Sequence, residues 1–146
     1  MRVMVIMKAN AKSEAGEMPS ERLLTEMTAY NEDLAKSGML LAGEGLHPSS
    51  KGARVLFEGT GTSVVHGPFA ETRDLIAGFW LLQVKSMDEA IDWIRRVPNP
   101  DGDHHEIEIR QVFEAADFGE DYTPELRERE DALREQTGHY GEAPQP

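Results

Sequence analysis

One segment constrains this chain more than any other. Ala77-Gly78-Phe79-Trp80-Leu81-Leu82-Gln83-Val84 reads as a strand with Trp80 and Leu82 on one face and Phe79 and Leu81 on the other. A strand that is apolar on both sides belongs inside a sheet, and both faces of that sheet need cover. The rest of the chain offers two amphipathic helices for one face. Within Pro19–Ser37, Leu23, Leu24, Met27, Tyr30, Leu34 and Ala35 form one stripe, which Gly38 ends. Ser86-Met87-Asp88-Glu89 is a capping box opening a second helix, with Met87, Ala90, Ile91, Ile94 and Val97 on its inner side. The second sheet face is left to a second copy of the chain, so the expected assembly is a homodimer through that face.

The remaining segments complete an α+β pattern. Arg2–Lys8 alternates as a strand, Asn10–Met18 reads as a polar loop, and Met39–Gly43 as a short strand. Ala53–Phe57 and Thr62–His66 flank Glu58-Gly59-Thr60-Gly61 as a β-hairpin. Pro98–Gly102 ends the second helix, and Glu106–Phe113 alternates as the last strand. The order is β-α-β, a hairpin, then β-α-β, which packs as an antiparallel sheet with two helices on one face.

Charge divides the chain into a body and a tail. It has 146 residues and a formal net charge of −12. From Asp117 to Glu142, nine acids stand against Arg127, Arg129 and Arg134, which accounts for half of that charge. Thr123-Pro124 starts a helix there, yet Leu126 and Leu133 are its only large apolar residues. So thin a stripe either docks lightly on the body or a partner, or frays. Gly138 to Pro146 reads as disordered.

The acidic balance argues against nucleic acid as a partner, since duplex binding relies on clustered Lys and Arg. No apolar run approaches the roughly 20 residues of a membrane span. Met1–Lys8 is too short for a signal-peptide core, so the expected location is cytoplasmic. With no cysteine there is no disulfide, thiolate metal site or cysteine nucleophile. His104 and His105 are adjacent and would point to opposite faces of a strand, and no helical His-x₃-His pair exists, so no metal is expected. Neither Gly43-x-Gly45 nor Gly59-x-Gly61 opens a helix after a strand, so a dinucleotide is not expected and no cofactor is implied.

Two Gly/Pro-interrupted segments hold the candidate chemistry. His66 ends a strand before Gly67-Pro68, and the turn could return Glu71 to its imidazole to make a general base. The structural alternative is a polar turn residue with Glu71 capping turn amides. Glu44 and His47 lie in the other such segment, either as substrate-binding groups or as solvated loop. Phe69, Phe79 and Trp80 could pack a ring. Arg110 could meet an anionic ligand or pair with a cross-strand acid. Arg73 and Asp74 read as a surface pair.

Val65-His66-Gly67-Pro68-Phe69-Ala70-Glu71-Thr72-Arg73-Asp74, followed by Ala77-Gly78-Phe79, resembles the YCII-related family in its DGPF-type branch. Gly43-Glu44-Gly45-Leu46-His47-Pro48, Asp88-Glu89-Ala90 and Glu106-Ile107-Glu108-Ile109-Arg110 add to the likeness. The resemblance implies a ferredoxin-like βαββαβ fold with an added hairpin, paired as a dimeric α/β barrel. The resemblance covers roughly Arg2 to Phe113, so a YCII-related domain is expected at residues 1–115, and the charge pattern sets an acidic tail with one short helix at 116–146. One relative in chlorinated-aromatic degradation acts as a dehydrochlorinase, and other members are fused to or encoded beside sigma factors. The family's usual acidic residue at the first motif position is replaced here by His66.

Two functions follow as expectations. One is a cofactor-independent lyase or isomerase on a compact cyclic or aromatic substrate, with His66 moving the proton and Glu71 orienting it. The other is a non-catalytic small-ligand-binding or regulatory module, linked to transcription through the family's sigma-factor associations. An interaction protein using its acidic tail ranks third.

Overall fold

The computed structural model describes residues 1–70 and 72–137. In chain order these form β1 (Arg2–Lys8), α1 (Ala11–Glu14), α2 (Glu21–Lys36), β2 (Leu40–Gly45), β3 (Ala53–Glu58), β4 (Gly61–His66), β5 (Ile76–Gln83), α3 (Met87–Ile94), β6 (Ile107–Gln111) and α4 (Pro124–Thr137). Strands β2-β5-β1-β6 make one sheet, antiparallel at every pairing, and β3-β4 form a separate two-stranded ribbon. This is the ferredoxin-like order, with the hairpin inserted between β2 and β5.

The strand read as apolar on both sides takes an inner position. β5 pairs with β1 on one edge and β2 on the other. Its Trp80 and Leu82 join Val3, Val5, Tyr30, Leu34 and Ala90 in the core beneath α2 and α3. Val3, Val5, Leu34 and Leu82 have no exposed surface, and each such burial contributes about 1.5–3 kcal/mol. Tyr30 stands edge-on to both Trp80 and Trp93, its hydroxyl donating to the Trp93 carbonyl at 2.9 Å. Burial pushes its phenol up to about 12.

The helices start where their caps predict. Ser20 accepts from the Leu23 amide, and Ser86 from that of Glu89. The Glu89 carboxylate reaches back one residue further than a simple box, to the Lys85 amide at 2.6 Å. Thr123 accepts from the Leu126 amide at the start of α4. Asn10–Met18, expected to be loop, contains α1. Asn10 and Ser13 cap each other's backbone amides at 2.9 Å, which is enough to nucleate one turn.

The second sheet face is not left wholly bare by the chain itself, and this corrects the expectation. Arg2 and Gln83 lie opposite each other across β1 and β5, and Arg2 points away from the core side chain of Val3. Arg2 is almost fully buried and grips both oxygens of Glu114, at 3.0 and 3.3 Å. From there Phe113, Phe118 and Tyr122 stack in series along a 3₁₀ segment, Ala115–Asp121, that leads into α4. Phe113 and Phe118 stay largely exposed, so the tie of this segment to the sheet that the structure shows is the Arg2–Glu114 pair. Farther along this face Met4 remains exposed and Phe79 half-buried.

Candidate functional site

A cleft of about 780 Å³ opens between the core face of the sheet and the segment that carries α1 into α2. Its apolar walls come from Met7 on β1, Leu23, Leu24 and Met27 on α2, and Trp80 on β5. Met18, Leu24 and Leu46 are exposed around it, so the opening itself is greasy. Its polar groups include Asn31, His47 and His105. Mostly apolar walls with a few polar groups are the usual make-up of a small-molecule site.

Trp80 forms part of the cleft and is fixed from two sides. Asn31 accepts its indole N–H at 2.9 Å, and Gly43 on β2 leaves room for the ring. A Cβ at Gly43 would come within 2.8 Å of the indole Cδ1, so this strand position tolerates no side chain without moving Trp80. The glycine of the Gly43-Glu44-Gly45 segment is therefore part of how the cleft is shaped.

His105 is the polar group with the most unusual surroundings. Its Nδ1 is buried and has no hydrogen-bond partner. An imidazole nitrogen left without a partner loses its hydration and gains nothing in return, at a cost of about 1–3 kcal/mol.

The mouth is crossed by a polar strap. Lys12 on α1 binds the Asp103 carboxylate at 2.7 Å, and Ser20 donates to Asp101 at 3.2 Å. The hydrogen bond and charge of Asp103 raise the Lys12 pKa. On the far side, the Glu14 carboxylate accepts from both the amide and the hydroxyl of Ser49, at 2.9 and 2.6 Å.

The sequence-predicted residues separate into two groups. His47 and Trp80 border the cleft, whereas Glu44 and Phe79, directly paired across β2 and β5, reach its edge with their side chains on the opposite sheet face from Trp80. His66 does not border it: it ends β4 opposite Ala53 and is exposed. Glu71 lies outside the described residues, so its relation to His66 does not enter. Phe69 is half-buried under the Arg54 guanidinium, 3.9 Å from its ring centre, and its amide donates to the Ser49 hydroxyl at 3.0 Å. Arg110 is exposed on β6, 4.0 Å from Glu108 on its own strand.

The Gly67-Pro68-Phe69 motif thus acts as a clasp. Ser49 receives the Glu14 carboxylate on one side and the Phe69 amide on the other, and Gly67 donates to the Gly52 carbonyl. A Cβ at Gly67 would fall 1.7 Å from the Ser49 carbonyl oxygen, so only glycine fits. Three distant segments meet there: α1, the turn after β2, and the exit of the hairpin.

Sequence reasoning passed over Asn31 and weighed His105 only as a metal ligand. Asn31 was visible as a polar residue directly after core Tyr30, where a helix stripe gives way to its flank. No group of three or more potential metal-binding side chains occurs among the described residues. No helix among them is long and apolar enough to cross a membrane.

Fold and cleft together define a ferredoxin-like α+β protein with a small-molecule-sized cavity beside its sheet. The YCII-related domain matches residues 1–116, and the chain belongs to that family. An uncharacterized protein of Rhizobium meliloti (strain 1021) is 31% identical over 92 residues, which cover 63% of this chain and 74% of that protein. Among solved structures, 5-chloro-2-hydroxyhydroquinone dehydrochlorinase from Burkholderia phenoliruptrix AC1100, in complex with 2,5-dihydroxybenzoquinone, aligns over 77% of this chain and 94% of its own. The TM-score is 0.46 and the identity 16%.

Proposed function

We propose that the protein is a cofactor-independent lyase or isomerase whose cleft takes a compact cyclic or aromatic molecule, with His105 and His47 as the proton-carrying groups. One observation carries the reading: a single cavity gathers both imidazoles and apolar walls that include Trp80. Apolar surroundings exclude water and favour a flat ring, and methionines such as Met7 and Met27 adapt to its outline. An imidazole changes protonation near neutral pH, which suits removing a proton from carbon or returning one. His66, expected from its motif to be the proton carrier, stands outside this cavity, so the role moves to the cleft histidines.

The test uses two compact rings, hydroquinone and cyclohexenone. Saturable NMR shifts are expected at the Trp80 indole N–H and at the His47 and His105 rings. Exchange of carbon-bound hydrogen α to the cyclohexenone carbonyl into D₂O should be accelerated. Replacing both histidines by alanine should remove roughly 10²–10⁴ of that acceleration. Absence of shifts with either ring would end the reading. A second reading, binding without turnover, is favoured by the missing partner at His105 Nδ1, because a general base is normally held in place by a neighbour. Shifts without exchange would select it.

We also propose that two copies pair through the second sheet face, where Met4 and Phe79 stay accessible beside Leu81, which pairs with Met4 across β1 and β5. Light scattering should give a dimer at micromolar concentration, and a monomer there would remove the proposal.

A further inference from the structure

We infer that the cleft selects its ligand by charge, accepting neutral and cationic rings and turning away anionic ones. This rests on the proposed function, in that the same cleft must bind a ring. The charged residues bordering the cavity are Lys8 and Lys12 against Glu17, Glu44, Asp101 and Asp103. Of the two cations, Lys12 is already committed, with its ammonium 2.7 Å from the Asp103 carboxylate. Asp101 accepts a neutral hydroxyl from Ser20 and shares the field of Lys12 with Asp103 and Glu17, so one cation faces three acids at the mouth. A carboxylate or phenolate entering here meets Glu17 and Asp101 with Lys8 alone to offset them, while Glu44 turns its side chain to the other sheet face.

The remainder of the molecule reinforces this, since the chain carries a net charge of −12. A cleft with apolar walls focuses the field of its rim, because the low-polarity surface screens poorly. Neutral rings escape the penalty and still gain from burial against Met7, Leu23 and Met27. Amine-bearing rings gain twice, from burial and from the rim.

Three rings of nearly equal size isolate the charge: benzylamine, benzyl alcohol and benzoate. Their affinities are read from NMR shifts of the Trp80 indole N–H at low ionic strength. The expected order is benzylamine, then benzyl alcohol, then benzoate, with benzoate roughly tenfold weaker than the alcohol. Added salt should narrow the gap. The Asp103→Asn variant releases Lys12 while keeping the loop's side-chain size, and should raise benzoate affinity several-fold without altering the alcohol's. Benzoate binding as tightly as benzyl alcohol would overturn charge selection and leave the proposed ring site standing. An Asp103→Asn protein whose benzoate affinity does not change would also overturn it. Failure of all three rings to bind would remove the ring site itself, and charge selection with it.

Discussion

Two glycine- and proline-interrupted segments follow strands in this protein, and they do different work. Residues 44–48 continue β2 along the cleft, supplying His47 to a cavity that also holds Trp80. Residues 66–69 leave β4 and fasten the hairpin to α1 through Ser49. The segment with the stronger family signature is the one that builds structure, and the plainer one reaches the cleft. Motif strength measures how few sequences satisfy a local geometry. A backbone contact that admits only glycine is as restrictive as any catalytic requirement.

The sharpest way to break this contrast is at the glycines. Gly67→Ala should destabilise the fold by at least about 3 kcal/mol, because its Cβ would overlap the Ser49 carbonyl at 1.7 Å. Gly45→Ala, with nothing within 4 Å of the new atom, should change stability by less than about 1 kcal/mol. Urea denaturation of the two variants gives both numbers, and equal losses would mean that residues 66–69 are not the tighter fit. A smaller effect is expected at Ser49. Its alanine variant strips Glu14 and the Phe69 amide of a shared partner and should cost about 1–3 kcal/mol in the same measurement. The smallest effect is expected at His66. His66→Ala should leave ring affinity within about twofold of the parent, whereas His47→Ala should weaken it by more. A His66 variant that loses ring binding would return that residue to the site.

Much of the fold was legible because it rests on period and caps. The alternation in Arg2–Lys8, the stripe ending at Gly38 and the box at Ser86–Glu89 each encode a local geometry, and β1, α2 and α3 follow them. The two-faced pattern of β5 gave its inner place in the sheet. The site was only half legible. Of the residues that line the cleft, His47 and Trp80 could be named because they lie on or beside regular strands. His105 lies in the irregular stretch between α3 and β6, where no period predicts direction, and only the completed fold carries it to the cleft. Asn31 was hidden for another reason: its partner, the indole of Trp80, is 49 residues away. The reach of the C-terminal segment to Arg2 was likewise invisible, since it depends on a pairing between residues 112 positions apart.

Helix α1 has four residues and none of them is buried. Apolar area therefore contributes almost nothing to holding it. What keeps it over the cleft is a ring of polar bonds: the Asn10–Ser13 caps, Lys12 to Asp103, and Glu14 to Ser49. Bonds of this kind are individually weak in water, and the Lys12 pair in particular is exposed. Amide protons in this turn should then exchange with solvent through small local openings, sped by salt, while those of β1 beside it wait for the whole domain to unfold. The entrance to the cavity can open and close many times during the life of a single folded core.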